Sequence, residues 1–446
     1  MKKSVLLKSV LMASALSVNA ARAADDSATV NGITFYGIVD VDLTYDTHGA
    51  PPPPAGTIGS NWGVQKTSNR PILEMGQSGM SQSRWGFRGA EDLGDGWTGL
   101  FRTEGAFNPL NGAITDAQRA ITSNNGVPQA QQTAYGDSAI NGQLFSRAAY
   151  VGISNPTYGT LTAGRNTTFE NDAIAAYDPD GSSYAFSLIG FSGITAGAGR
   201  TQDTRWDNSL KYNGGYGPIR YGLMYQFGGT LARNDTGLGA DLGFDWQGLS
   251  FDGVYTVKKD NISAAPLTLP QMLAAAAAGF STQNAIAANV SDNAAFGLNV
   301  KYVWDRFKFY AGYEHVNYGN AKSPLPVGFV NVGNYIGAVV SNSAYQGDKL
   351  QVMWAGFRYE ATPRLEAIVS WDHYIQNSYK GNGCSDSSFA QCSGTENTAS
   401  LAVDYHFTKK FDVYAGAMYS QVLGGLENGF FHNNNVDPTI GMRYAW

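Results

Sequence analysis

The sequence predicts an all-β fold, a transmembrane barrel of 16 antiparallel strands with short turns at one end and long loops at the other. Three observations predict it. Segments of about 10 residues recur in which every second side chain is bulky and apolar and those between are polar, the pattern of a strand with one greasy and one wet face. Charged residues make up only 15 % of the chain, against about 25 % in an ordinary soluble domain, while Tyr (25) and Gly (54) abound, which favours strands over helices. Connections alternate between tight and long, as in a barrel whose two ends face different compartments.

Residues 1–23 read as an export signal. Lys2 and Lys3 make a positive start, residues 5–18 an apolar run too short to span a membrane, and Ala21-Arg22-Ala23 a small-residue cleavage site. The mature chain, 24–446, then forms one barrel domain. Lys2, Lys3, Lys8 and Arg22 leave with the signal, so 26 of the 30 basic residues face 36 acidic ones and the mature charge is about −10. Nothing in that balance points to nucleic acid. The only cysteines, Cys384 and Cys392, enclose seven residues of a polar stretch, a spacing that staples one loop in an oxidising compartment. No run of 18 apolar residues follows the signal, so no transmembrane helix is expected.

Strand one (34–45) sets Phe35, Val39, Val41, Leu43 and Tyr45 on one face and Asp40, Asp42 and Thr44 on the other. The prolines at 51–54 cannot join a ladder and mark a loop. Residues 83–92 oppose Trp85 and Phe87 to Arg84 and Arg88. After a tight turn at Asp95-Gly96, residues 97–107 oppose Trp97, Phe101 and Phe107 to Arg102 and Glu104. A long loop leads to strands 145–154 and 160–169, which carry Arg147 and Arg165, and then to a long connection, 170–204.

The second half alternates more cleanly. Residues 205–213 set Trp206, Leu210 and Tyr212 against Arg205, Asp207 and Lys211. Strand 219–227 follows, then a hairpin of 241–247 and 249–258, then 294–306 and 307–318 across a very short turn. In 349–360 the register changes: Val352 and Trp354 fit one face, Phe357 and Tyr359 the other, which predicts a bulge. Strands 365–377, 398–408 and 411–421 restore the rule, and the Ala-rich run 272–288 predicts a short helix in a loop. The last strand alternates Ile440, Met442, Tyr444 and Trp446 with Gly441, Arg443 and Ala445. A chain that ends on bare aromatic residues is explained if this strand pairs with the first and leaves no edge. A soluble sandwich also alternates, but export, strand number and loop asymmetry together favour the barrel.

With Phe35-Tyr36-Gly37 in strand one, Ser83-Arg84-Trp85-Gly86-Phe87-Arg88-Gly89 in strand two, Gly164-Arg165 and the aromatic last strand, the mature chain resembles a Gram-negative general diffusion porin along its whole length. Trp446 stands where that family usually ends in Phe. The resemblance implies a homotrimer set in outer-membrane lipid and lipopolysaccharide. Each barrel would hold a water-filled pore for passive diffusion of ions and small hydrophilic solutes, with no cofactor. It also implies a third long loop folded inside to narrow the pore, here 170–204, whose Glu170, Asp172, Asp178 and Asp180 face a ladder of wall arginines. By strand position these are Arg84, Arg147 and Arg205; alternation adds Arg88, Arg102 and Arg165. Physics agrees on the direction, because an arginine facing lipid at the midplane costs roughly 2–4 kcal/mol.

Two other functions are weighed. A substrate-specific channel for a sugar or organic acid uses lumen aromatics as a guide; here the aromatics sit mainly on the apolar register, with Tyr177 and Tyr184 in the inner loop the exceptions. An outer-membrane enzyme needs a nucleophile beside one of the five histidines, and His48, His315, His373, His406 and His432 show no such partner in the sequence. The inward charges are of both signs. Inward arginines favour anions, inward Asp40, Asp42, Asp245 and Asp252 favour cations, and the charges at the narrowest point decide.

Overall fold

The computed structural model describes residues 28–48, 71–114, 122, 125–127, 143–189, 204–228, 236–332, 335–342, 349–377, 393–424 and 432–446. The expected export signal and both cysteines lie outside these residues.

The strands in the first half are β1 (Ala28–Val30), β2 (Ile33–Asp46), β3 (Ile72–Gln77), β4 (Arg84–Gly94), β5 (Trp97–Ala106), β6 (Ala148–Asn155), β7 (Gly159–Thr167), β8 (Arg205–Tyr216), β9 (Ile219–Gln226) and β10 (Gly237–Trp246). Those in the second half are β11 (Leu249–Ala265), β12 (Ala285–Trp304), β13 (Phe307–Asn320), β14 (Val330–Val332), β15 (Tyr335–Asn342), β16 (Lys349–Thr362), β17 (Leu365–Asn377), β18 (Gly394–His406), β19 (Phe411–Gly424) and β20 (Asn434–Ala445).

Neighbours pair antiparallel around a closed wall of 16 staves. The stave count follows because β3 and β4 are two halves of one stave, both paired to β2. β1 only folds back on the start of β2, while β14 and β15 belong to a loop, β15 lying parallel to the extended end of β12.

Closure is the β2–β20 ladder, Ile38 opposite Ala445 through Thr44 opposite Thr439. Trp446 extends it by exchanging backbone hydrogen bonds with Gly37 at 3.1 and 3.3 Å, and its ring packs 5.8 Å from that of Phe35. A Cβ on Gly37 would lie 2.2 Å from the Trp446 ring, so only glycine admits this approach. The two faces separate as alternation requires. On β2, Leu43 and Tyr45 are exposed while Asp40, Asp42 and Thr44 are buried; on β9, Tyr221, Leu223 and Tyr225 are exposed between buried Met224 and Gln226. The polar set faces the interior and the apolar set faces outward, the inverse of a soluble core. Tight turns fall where expected, with left-handed backbone at Asp95-Gly96 and Gln247-Gly248.

Two expectations fail for physical reasons. Trp206, expected outward beside the exposed Leu210, is fully buried inside against Phe169, Tyr177, Met224 and Val254. Asn208 takes a left-handed φ of 51° and the β7–β8 ladder skips between Gly164 and Asn166, so the faces exchange partway along β8. The bulge expected in 349–360 is absent: β13 and β16 pair without a break from Phe307 opposite Tyr359 to Asn317 opposite Lys349. Val352 and Trp354 point inward, where apolar residues are needed because the chain itself fills that part of the barrel.

The filling segment is residues 168–189. Thr168 caps the helix Phe169–Tyr177 by accepting from the Asn171 amide at 3.3 Å, and the helix lies along β10–β13. Ile174, Leu188 and Ile189 pack with Leu350, Val352, Trp354 and Tyr374. Polar ties complete the seat: Trp354 Nε1 donates to the Tyr177 carbonyl (3.1 Å), Tyr374 to that of Leu188 (3.0 Å), and Ser400 to that of Phe186 (2.7 Å). The Ala-rich run gives a helix as expected, but it spans Leu269–Ala277, and β12 takes over at Ala285.

Candidate functional site

Three staves bring guanidinium groups to one patch of the inner wall. Register sets Gly86 opposite Glu104, Arg88 opposite Arg102, and Arg102 opposite Tyr150, so these side chains share the interior face of β4–β6. Glu104 is the centre, with a side chain only 3 % exposed. Its Oε2 accepts from Arg102 (2.6 Å) and the Tyr36 hydroxyl (2.9 Å), its Oε1 from Arg147 Nε (2.6 Å), and Arg84 Nε stands 4.0 Å away. Arg102 Nε donates to the Tyr36 hydroxyl at 2.8 Å. The Tyr36 ring lies beneath the guanidiniums of Arg88 and Arg102, 5.3 and 5.5 Å from its centre. Arg205, opening β8, donates to the Arg147 carbonyl (2.8 Å) and the Thr204 hydroxyl (2.9 Å).

Of the six arginines expected in the lumen, Arg84, Arg102 and Arg147 converge on Glu104, Arg205 adjoins through the Arg147 backbone, and Arg88 stacks on Tyr36. Arg165 makes no contact with Glu104: at the break in the β7–β8 register it donates to the Ser146 carbonyl (2.7 Å), beside Arg147, and pairs at 2.6 Å with Asp207, a carboxylate 52 % exposed.

The loop acids do not face this cluster, contrary to expectation. Glu170 is buried against the β11–β13 wall, beside Asn299 and Glu314. Asp172 pairs with Lys211 of β8, whose ammonium also stands 4.6 Å over the Phe169 ring. Asp178 accepts from the amides of Asp180 (2.9 Å) and Ser182 (2.7 Å) and from the Ser187 hydroxyl (2.6 Å). Asp180 is buried next to it. Burial first, and then the charge of Asp178, hold the Asp180 carboxyl well above the usual carboxylate range. Positive charge beside this pair comes from Arg358 of β16, which also donates to the Pro179 carbonyl and to Glu366 at 3.0 Å. The inner segment therefore neutralises its acids against a different part of the wall.

Sequence reasoning put Glu104 on the polar face with Arg102 but gave neither it nor Tyr36 a role in the site, and did not mention Arg358. The signal for Glu104 was present, since it follows Arg102 by two residues and must share its face. Tyr177 and Tyr184, considered as solute contacts, are 2 % and 7 % exposed and serve packing instead. His406 lies 3.5 Å from both Asp404 and Asp412, a metal-like spacing, but Arg443 already pairs with both carboxylates. His48 and His432 stack at 3.9 Å where two loops meet.

The arrangement offers fixed hydrogen-bond donors with positive charge to water inside the barrel. The side chains of Arg84, Arg102 and Arg147 are 10, 20 and 17 % exposed, whereas Asp178 and Asp180 are sealed at 2 %. Such a surface attracts small anions without reacting with them.

Comparison with known proteins gives four findings. A family model described as Gram-negative porin matches residues 9–424. An outer membrane porin protein of Bordetella pertussis is 29 % identical over 222 residues, 50 % of this chain and 48 % of that one, so the chain spans about half the length of that relative. Among solved structures, the anion-selective porin from Comamonas acidovorans superposes with a TM-score of 0.59 at 16 % identity, covering 93 % of this chain and 99 % of that one. The trimer form of OmpT, an outer membrane protein of Vibrio cholerae, gives 0.57 at 14 % identity over 93 % and 99 %.

Proposed function

Because the chain belongs to the Gram-negative porin family and is a protein of the outer membrane, we propose that it forms a water-filled channel for passive diffusion of ions and small hydrophilic solutes, with a preference for anions. The observation that carries the preference is the contrast in charge exposure. Arg84, Arg102 and Arg147, with side chains 10–20 % exposed, surround a single sealed glutamate, while Asp178 and Asp180 of the inner segment are buried and Asp172, 25 % exposed, is paired with Lys211. A fold shared with a porin named as anion-selective supports the same sign.

The inner segment, expected over 170–204 and described over 170–189 and at 204, narrows the pore beside the arginine cluster. A substrate-specific channel is the weaker reading, because the two tyrosines that would guide a sugar are buried. No chemical transformation is involved, and no cofactor. The working unit is a homotrimer, supported by the trimer form of the similar Vibrio protein, with its apolar rim in lipid and lipopolysaccharide. Residues 1–23 are removed on export, and Cys384 pairs with Cys392 in the oxidising periplasm.

Liposome swelling with the purified protein tests the channel. Permeation of small sugars and amino acids, with conductance steps closing in threes, is expected. An intact barrel that passes no solute would overturn the proposal.

A further inference from the structure

One structural feature is used neither by the wall nor by the arginine cluster. Between the pairs Val41–Gln77 and Ile38–Arg84, two residues of β2 oppose six residues, 78–83, on the neighbouring stave. The surplus chain is folded into the barrel and buried. Resting on the channel reading above, we infer that this excursion is a latch that fixes the inner segment and so the open width of the pore, with Asp40 as its positioning residue.

Asp40 holds the excursion at every level. Its Oδ2 accepts from the amides of Met80 (3.0 Å) and Ser81 (2.7 Å), its carbonyl from Ser78 N (2.9 Å), and its own amide donates to Ser83 Oγ (3.0 Å). Ser78 takes a left-handed φ of 69°, and its hydroxyl accepts from Ser83 N at 2.8 Å, closing the excursion on itself. Two inward residues from the closing staves brace it. Tyr414 donates to Asp40 Oδ1 (2.6 Å) and Arg443 to the Ser81 hydroxyl (2.7 Å).

So held, the excursion presents the Gly79 carbonyl to the inner segment. That oxygen accepts from Ala185 N (2.9 Å) and Ser183 Oγ (2.7 Å), while Met80 packs with Tyr184 and Phe186. A Cβ on Gly79 would lie 2.4 Å from the Tyr414 hydroxyl, so the backbone approaches as closely as a side chain would allow only in its absence. Elsewhere the segment is held to β8 by the Asp172–Lys211 pair, to β9 by Arg220 donating to the Tyr177 hydroxyl (3.2 Å), along β10–β13 by its helix, and to β16–β18. The excursion supplies the attachment from the β2 side of the barrel, where it holds residues 183–186. Asp40 thus acts through the latch rather than on a permeating ion.

The test uses full-length protein and two variants, Asp40→Asn and Met80→Ala, with folding checked by unheated gel mobility. In planar bilayers brief closures should become roughly tenfold more frequent in both variants, the effect of losing about one buried hydrogen bond, with the parent ion preference kept in Met80→Ala, which changes no charge. Amide exchange at Ala185, read by NMR or mass spectrometry, is independent of conductance and should quicken by a similar factor. Should Asp40→Asn not fold, Met80→Ala, which removes only the apolar grip, still decides. Folded variants with parental gating and parental exchange at Ala185 overturn the latch. A parent protein that does not conduct overturns the channel reading, and the exchange result then judges the latch alone.

Discussion

Replacing Glu104 by Gln removes the single negative charge among the open arginines while keeping the side chain's shape and one acceptor for Arg102 and Tyr36. An ion passing ~7 Å from that carboxylate feels ~0.6 kcal/mol at the dielectric of water. Anions and cations shift in opposite senses, so their difference changes by ~1.2 kcal/mol, about sevenfold in permeability ratio at low salt. At physiological ionic strength, with a Debye length of about 8 Å, the same change falls to about twofold. The zero-current potential of Glu104→Gln under a KCl gradient, measured at both salt levels, should move further toward the anion limit, and more so at low salt. Leaving buried guanidiniums unpaired costs up to about 3–5 kcal/mol, so the variant is checked for native gel mobility before recording. An unchanged ratio in a folded variant, or a shift toward cations, would show that permeating ions do not feel this cluster, and the reasoning would fail.

Other perturbations follow from the same contacts. Gly37→Ala puts a methyl against the Trp446 ring and 2.7 Å from the Arg84 carbonyl, an overpacking of about 1–3 kcal/mol at the seam; refolding yield should drop, and adding Trp446→Ala should recover only part of it because the backbone contact remains. Trp354→Ala removes a buried ring and its hydrogen bond to Tyr177, costing about 3–5 kcal/mol, and should appear as a lower melting temperature together with noisier open-channel current. Asp180, its carboxyl raised above the usual range, favours the protonated form when folded; its contribution is therefore full at low pH and is lost as pH rises through the raised pKa. Asp180→Asn should accordingly match the parent at about pH 3, below the ordinary carboxylate range, and melt higher than the parent at pH 8.

The wall was legible in the sequence because period-2 alternation needs no knowledge of neighbours. Strand number, closure through Trp446 and the tight turns at Asp95 and Gly248 all came from local pattern. What escaped depends on contacts distant in sequence. The half-stave Ile72–Gln77 was missed because 78–83 interrupts the alternation between it and 84–94, and Trp206 was assigned to the wrong face because a left-handed Asn208 reverses the parity. At β16 an apolar inner face was taken for a bulge, since only the fold reveals that the chain packs against Val352 and Trp354 from inside. For the site, alternation placed Arg84, Arg88 and Arg102 correctly. Family likeness suggested that the loop acids would oppose them, whereas local hydrogen bonds around Asp178 and the Lys211 pair on Asp172 take those charges away.

The central claim is that the wall arginines gathered around Glu104, not the more numerous acids of the chain, set the charge preference of the pore. The direct test is the sign of the zero-current potential of the purified protein in a planar bilayer under a KCl gradient. Chloride moving more readily than potassium is the predicted result. A cation-selective potential from channels of normal conductance would contradict it.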